Sequence, residues 1–531
     1  MMKRDLSAIS ICAMILMAFL FLIINSKSTS PLFGYRFIDS DIFRYMGHAI
    51  LQGKIPYTDL FDHKGLLLYW INALGLSLHL DYGIFFLQVI HLAATLFVWY
   101  RILSNYRQTW LKFTFLAVSL SALWVYFEDG NLAEEWSLLC ISLPIMLWID
   151  TQRTQSKEFC SRSMFVIGLC LGALFLLRLN NMVPVIIILV YCLIVALIKR
   201  KFNYAVKAIG IIFASFMIFP LLACIHMLLL NGIQGVNDMF YAMIGFNLDY
   251  AGQSGMGIQF NWNDALIFCP LFFPVLYLLP VFLKERQVTI PLLLAFVFTF
   301  ISIGGRSYPH YFIVVIPLVV SSFACLQRYK IKYPILLVLL LINMILIRRS
   351  QLTYYPILPV NTYHESFMEV IKPIPDSKKG EIWNMGGGML ARDFIEAGLV
   401  QQNRMLLPFQ LSISERLLAE EGEKIQKVKP EYVLYAKFDY EFENSLLKYT
   451  TQNNYKESDS DYQFLVDNYD LISSVKREDD SVLYCYRIKQ NADSAQTDNT
   501  SQLAISLPYV LTAPLASGCC GTMEETTKTN M

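Results

Sequence analysis

VPVIIILVYCLIVALI, residues 183–198, contains no Asp, Glu, Lys or Arg and ends against Lys199, Arg200 and Lys201. Crossing the hydrocarbon core takes roughly 20 mainly apolar residues, and basic residues collect on the cytoplasmic side. The run therefore reads as a membrane span with its C-terminal end inside. Comparable runs lie near 8–25, 82–103, 111–127, 131–149, 163–180, 204–230, 265–284, 288–304, 309–325 and 333–348. Together they make about eleven spans. LLLYWINALGLSLHL at 66–80 is short and carries Asn72, Gly75 and His79, so it reads as an interfacial or re-entrant helix.

The whole composition agrees with a membrane as solvent. Apolar residues make up 55% and charged residues 16%, against about 25% charged in a soluble globule. The net charge of +1 comes with no basic stripe interleaved with aromatics, which excludes nucleic acid as a partner. Most of the 11 cysteines (Cys12, Cys140, Cys170, Cys192, Cys224, Cys269, Cys325) sit in apolar runs, where cysteine acts as a small hydrophobe. No disulfide framework or metal spacing is present, and no cofactor is implied.

The first run follows Lys3 and Arg4 and lacks a small-residue cleavage site after Asn25, so it reads as a signal anchor. From a cytoplasmic N-terminus, Arg101 and Arg107, Arg153, Lys157 and Arg162, Lys284 and Arg286, and Arg328, Lys330 and Lys332 all fall inside. An odd number of spans then places everything after Arg349 outside. Three regions are expected: a transmembrane domain over 1–349 with a first outer loop at 26–65, an extracytoplasmic α/β domain over 350–489, and a disordered tail over 490–531. In the second, EIWNMGGGML and ARDFIEAGL read as strand, Gly turn and helix, while PEYVLYAKF and SVLYCYRIK read as strands. The fold class is an α-helical polytopic membrane protein with a small C-terminal α/β domain.

Charges that topology does not explain are functional candidates, because an ionised side chain in a span costs several kcal/mol. They gather at the outer rim: Asp39, Asp41 and Lys64 in the first outer loop, Glu134 and Glu135, Arg178, and Arg306 with His310. Carboxylates and cations at a lipid rim suit group transfer from a lipid-borne phosphate donor. A carboxylate can take the proton of an acceptor hydroxyl, and Lys or Arg can hold the phosphate as it leaves. The bland readings stand beside these. Asp39 and Asp41 also suit helix caps, Lys64 can snorkel to headgroups, and His310, Tyr308 and Tyr311 suit interfacial packing. Consecutive Glu134 and Glu135 point about 100° apart on a helix, so one faces a given cavity; Glu135 is the expected one. Arg178, just inside an apolar run, calls for an anion, either Glu135 or a donor phosphate.

At these residues a family resemblance emerges. FIDSDIFRYMGHAILQGKIPYTDLFDHKGLLLYW, residues 37–70, resembles the first outer loop of the GT-C glycosyltransferases related to protein O-mannosyltransferases and the lipid A aminoarabinose transferase. GNLAEEW at 130–136, LLRLNN at 176–181 and RSYPHYF at 306–312 are similar to rim segments of bacterial relatives. The resemblance implies a GT-C membrane domain, an inverting hexosyl- or pentosyltransferase, and a polyprenyl-phosphate sugar as donor. The acceptor would be an extracytoplasmic glycan, lipid or protein of the cell envelope. It further implies Asp39 as catalytic aspartate, Phe43 as the neighbouring aromatic and Lys64 as donor-phosphate contact. Arg178 and Arg306 join Lys64 at the phosphate, and Tyr57, Asp62, His63, Glu135, Tyr308 and His310 line the cleft. Ser40 stands where the family carries a second acid, and Asp41 follows it, so the base is Asp39 or Asp41. Leu66 stands where many relatives carry proline. A bacterial plasma membrane is the expected location, since no reticulum-retention signal ends the chain. The rival is a transporter or flippase of a lipid-linked sugar, but no internal repeat is visible and the charges sit at one rim.

Overall fold

The computed structural model describes residues 7–33, 38–152, 158–253, 270–272, 286–303, 308–325, 338–345, 362–385, 390–404, 424, 427–437, 465–477 and 482–489. Met1–Ile488 form one unit and Lys489–Met531 a second, of which only Lys489 is among the described residues. The expected tail at 490–531, Arg306, the Gly386–Gly388 turn, most of the run at 265–284 and half of the run at 333–348 lie outside them.

Helix α1, Ala8–Asn25, starts where the Ser7 hydroxyl accepts the amide of Ser10, a serine cap satisfying an otherwise orphan donor. Then come α2, Ile38–Leu51; α3, Leu66–Leu78; α4, Gly83–Ile102; α5, Thr109–Tyr126; and α6, Ala133–Gln152. The bundle continues with α7, Ser161–Phe175; α8, Val183–Ile198; α9, Phe202–Phe216; and α10, Ile218–Phe240. Met217 between α9 and α10 keeps helical backbone, whereas Asn231 and Gly232 break α10. After α11, Phe246–Gln253, follow α12, Arg286–Ile303, and a 3-10 segment Pro309–Val315 running into α13, Ile316–Cys325.

Six described stretches are long and apolar enough to cross a membrane: Ala8–Asn25, Gly83–Ile102, Thr109–Tyr126, Leu179–Ile198, Phe202–Asp249 and Arg286–Ile303. Their outward faces carry large apolar side chains such as Ile90, Val206, Phe213 and Leu229. So much exposed apolar surface is tolerable only against lipid. The chain is a polytopic integral membrane protein.

The segment expected as the first outer loop is built around a helix, α2, which occupies its centre. Asp39 and Asp41 fall in the first turn, where the helix dipole favours acids. Ile42, Tyr45, Met46 and Ala49 recur at helical spacing and are all buried.

C-terminal to the bundle lie α14, Thr362–Val370, α15, Ala391–Glu396, and a four-stranded sheet. Its strands are β1, Trp383–Asn384; β2, Tyr432–Lys437; β3, Tyr469–Lys476; and β4, Val482–Ile488, in the order β1-β2-β4-β3. β1 and β2 are parallel, the other pairs antiparallel, with a bulge between Leu471 and Ser473. β1, α15, β2 and β4 fall where the sequence patterns put them. β3 was not anticipated, for YDLISSVK lacks apolar alternation, and half of it is exposed. The sheet region shares an apolar core with α2 and α3, in which Phe43, Tyr45, Phe367, Phe394 and Tyr432 are all buried.

Candidate active site

Two residues apart on a helix means about 200° of rotation, and α2 uses it to send its two acids different ways. Asp41 is buried, with Oδ1 3.9 Å from Arg44 Nη1, and that guanidinium donates to the Ser28 carbonyl at 3.2 Å. Asp39 is half-buried and forms no hydrogen bond or ion pair with another described residue. The charges it feels are those of Lys64, His310, Asp62 and Glu134. Although part of its surface is open, loss of hydration pushes its carboxyl above the ordinary value, with Lys64 and His310 opposing.

Lys64 is held by its backbone. Its amide donates to the Tyr69 hydroxyl at 3.1 Å, and its carbonyl accepts from the Tyr57 hydroxyl at 2.8 Å. Tyr69 in turn donates to Asp62 at 2.7 Å. Lys64 Nζ reaches His63 Nε2 at 2.8 Å, and His63 Nδ1 stands 3.4 Å from Asp62. Burial works to raise the Asp62 carboxyl; Lys64, His63 and the Tyr69 hydroxyl together hold it below its usual value. The ammonium also lies 5.8 Å from the centre of the Phe43 ring, within cation–π range. Gly65 then lets two backbones meet. Its amide donates to Leu177 O at 3.2 Å, and a Cβ there would stand 2.0 Å from Leu176 O. This contact brings the Lys64 loop beside Arg178.

Arg178 pairs with Glu134 and stacks 3.9 Å from the centre of the Tyr311 ring. His310 pairs with Glu128, and its ring lies 5.8 Å from Tyr308 and 4.6 Å from Tyr311. A small recess of about 10 Å³, room for about one water molecule, opens beside Arg178, lined by Asn180, Asn181, Ser302, Ile303, Tyr311 and Val314. The structure thus gathers Asp39, Phe43, Tyr57, Asp62, His63, Lys64, Glu134, Arg178, Tyr308 and His310. It turns Asp41 and Glu135 elsewhere. The acid facing Arg178 is Glu134, not the expected Glu135.

Glu135 belongs to a polar knot that sequence reasoning missed. Its carboxylate accepts from Gln88 Nε2 at 3.0 Å and from the Asn131 amide at 2.7 Å. The Asn131 side chain donates to Ser40 Oγ at 3.2 Å and Asn72 Oδ1 at 2.9 Å, and accepts from Trp136 Nε1 at 3.0 Å. Ser40, the departure from the family's acidic pair, is therefore an anchor beside Asp39. Gln88 inside an apolar run was the available signal. The knot's entry turn is unusual: Glu128, Asp129, Gly130 and Asn131 have φ of 38°, 62°, 84° and 59°. Among the described residues no group of three or more His, Cys, Asp or Glu side chains is placed to hold a metal ion.

No family model and no curated protein sequence matches the chain. Among solved structures, the chain is similar to the crystal structure of ArnT from Cupriavidus metallidurans in the apo state. The identity is 11%, the match covers 90% of this chain and 97% of that one, and the TM-score is 0.56. At that identity the likeness is one of fold, and nearly the whole of both chains shares it: the protein has the fold of that structure.

Proposed function

We propose that the protein is a membrane glycosyltransferase that moves a sugar, with inversion, from a polyprenyl-phosphate donor to an extracytoplasmic acceptor on a cell-envelope glycan, lipid or protein. The observation that carries this reading is Asp39, a carboxyl without a hydrogen-bond partner among the described residues, facing Lys64 and His310. Asp39 accepts the proton of the acceptor hydroxyl as its oxygen attacks the anomeric carbon. The bond from that carbon to the phosphate oxygen breaks, and its electron pair leaves on the lipid phosphate. Lys64 meets the developing charge as a point cation. Arg178 is already paired with Glu134, so it contributes a positioned donor rather than a free charge; Arg306, outside the described residues, joins the basic group by the family resemblance alone. Asp41, committed to Arg44, supports α2. The bacterial plasma membrane, with the sheet region on its outer side, is the location that fits a lipid-borne donor.

The test is transfer from labelled polyprenyl-phosphate sugars by the purified protein in detergent. Wild type should consume at least one donor, and Asp39→Asn should lower turnover about 10²- to 10⁴-fold. If Asp39→Asn retains full activity, the assignment of the base fails. If the wild type consumes no donor, the transporter reading replaces this one.

A further inference from the structure

The sheet region reaches the Lys64 loop through a short segment, residues 401–404. That segment is fastened to β1 by a ladder of amide side chains. Asn403 Oδ1 accepts the Asn384 amide at 2.7 Å, Asn403 Nδ2 donates to Asn384 O at 2.9 Å, and Asn384 Nδ2 donates to Gln401 Oε1 at 2.9 Å. The Gln401 amide also donates to the Tyr45 hydroxyl of α2 at 2.7 Å. At its end, Arg404 grips the loop at two points four residues apart. Its Nε donates to Tyr57 O at 3.0 Å, and its own carbonyl accepts the Phe61 amide at 2.7 Å. The guanidinium lies 5.6 Å from the centre of the Phe61 ring.

Both grip points bear on the residues just downstream of them. Tyr57 has a φ of 65°, a conformation costly for a residue with a side chain, so an outside contact is needed to hold it. Its hydroxyl is the donor that holds the Lys64 carbonyl. Phe61 immediately precedes Asp62, His63 and Lys64. The bond to the Tyr57 carbonyl therefore acts on Lys64 through one side chain, and the bond from the Phe61 amide through three peptide units.

We propose that Arg404 is a positioning residue, through which the C-terminal sheet region sets the place of Lys64 in the cleft. The consequence for transfer rests on the reading of Lys64 as the donor-phosphate contact; the consequence for the loop does not. Two measurements on the full-length protein separate them. In hydrogen exchange, Arg404→Ala should speed exchange over residues 55–66 about tenfold or more, with peptides of α4 and α5 unchanged. In transfer assays, Arg404→Ala should raise the donor KM about tenfold, the effect of ~1.4 kcal/mol, with the acceptor KM unchanged. Arg404→Lys, which keeps a cationic donor on a long stem, should recover most of both effects and guards against a variant that fails to fold. Unchanged loop exchange in Arg404→Ala overturns the proposal. So does faster loop exchange with an unaltered donor KM in an active enzyme. Absence of transfer by the wild type would sink the glycosyltransferase reading, and the exchange arm would still decide whether Arg404 holds the loop.

Discussion

The cleft around Asp39 and the knot around Asn131 are neighbours in sequence and opposites in physics. Ser40 follows Asp39 and Glu135 follows Glu134, yet one residue of each pair enters each region. In the knot, Glu135 and Asn131 are buried and hydrogen-bonded on every side, the arrangement that makes a buried polar group tolerable. In the cleft, charges stand against charges beside a recess, and Asp39 has no hydrogen bond from a described residue. Completeness marks the structural carboxylate, whereas Asp39, the proposed base, is half-buried without such partners.

Asp39→Asn gives the largest contrast. Beyond its effect on turnover, it should leave the protein more stable at neutral pH. A carboxyl whose folded-state pKa is raised favours the fold fully only below its unfolded value of 3.8; that contribution is lost as pH rises through the raised value. The gain in melting temperature of Asp39→Asn over wild type should therefore be present at pH 7 and vanish near about pH 4. A destabilised Asp39→Asn at pH 7 would move Asp39 into the same class as Glu135. Gly65→Ala comes next: the new methyl must displace the Leu176 carbonyl, at about 3 kcal/mol. Thermal unfolding in detergent would register this, and an unaltered midpoint would show that the two backbones can part freely. Asn131→Ala should cost about 2 kcal/mol by leaving buried partners unsatisfied. Its melting temperature should fall while the pH profile of transfer stays put; a shifted profile would mean that the knot tunes the cleft. Arg178→Lys keeps the charge but loses the planar stack on Tyr311. The smallest effect is expected there, about 1 kcal/mol, read as a roughly fivefold rise in donor KM.

Six of the expected spans were legible because each is decided by its own composition, and β2 and β4 because their apolar content is local. The cleft was half legible. The helical angle between Glu134 and Glu135 foretold that they diverge, but which one meets Arg178 depends on Gln88, 47 residues upstream of Glu135, and on Arg178, 44 residues downstream of Glu134. The same holds for Asp39 and Asp41, whose orientations are set by the packing of Tyr45 and Met46 beneath them. α2 itself was hidden by its charges, although Ile42, Tyr45, Met46 and Ala49 carried the helical period in plain view. Asn131 left no such trace, since nothing in Glu-Asp-Gly-Asn says which distant groups it will join.

That tetrad bears on how the protein is assembled. Positive φ in consecutive residues costs roughly 1–2 kcal/mol for each one that is not glycine, so the turn has no reason to form in a nascent chain. The groups that hold it come from both directions. Lys27 meets Asp129 at 3.3 Å and Ser28 Oγ donates to the Asp129 carbonyl at 2.8 Å, so one support is made before the turn is synthesised. The other, His310 on Glu128, is 182 residues away. The turn is thus clamped from both directions along the chain, and Glu128 has its partner only where the segment at His310 is in place.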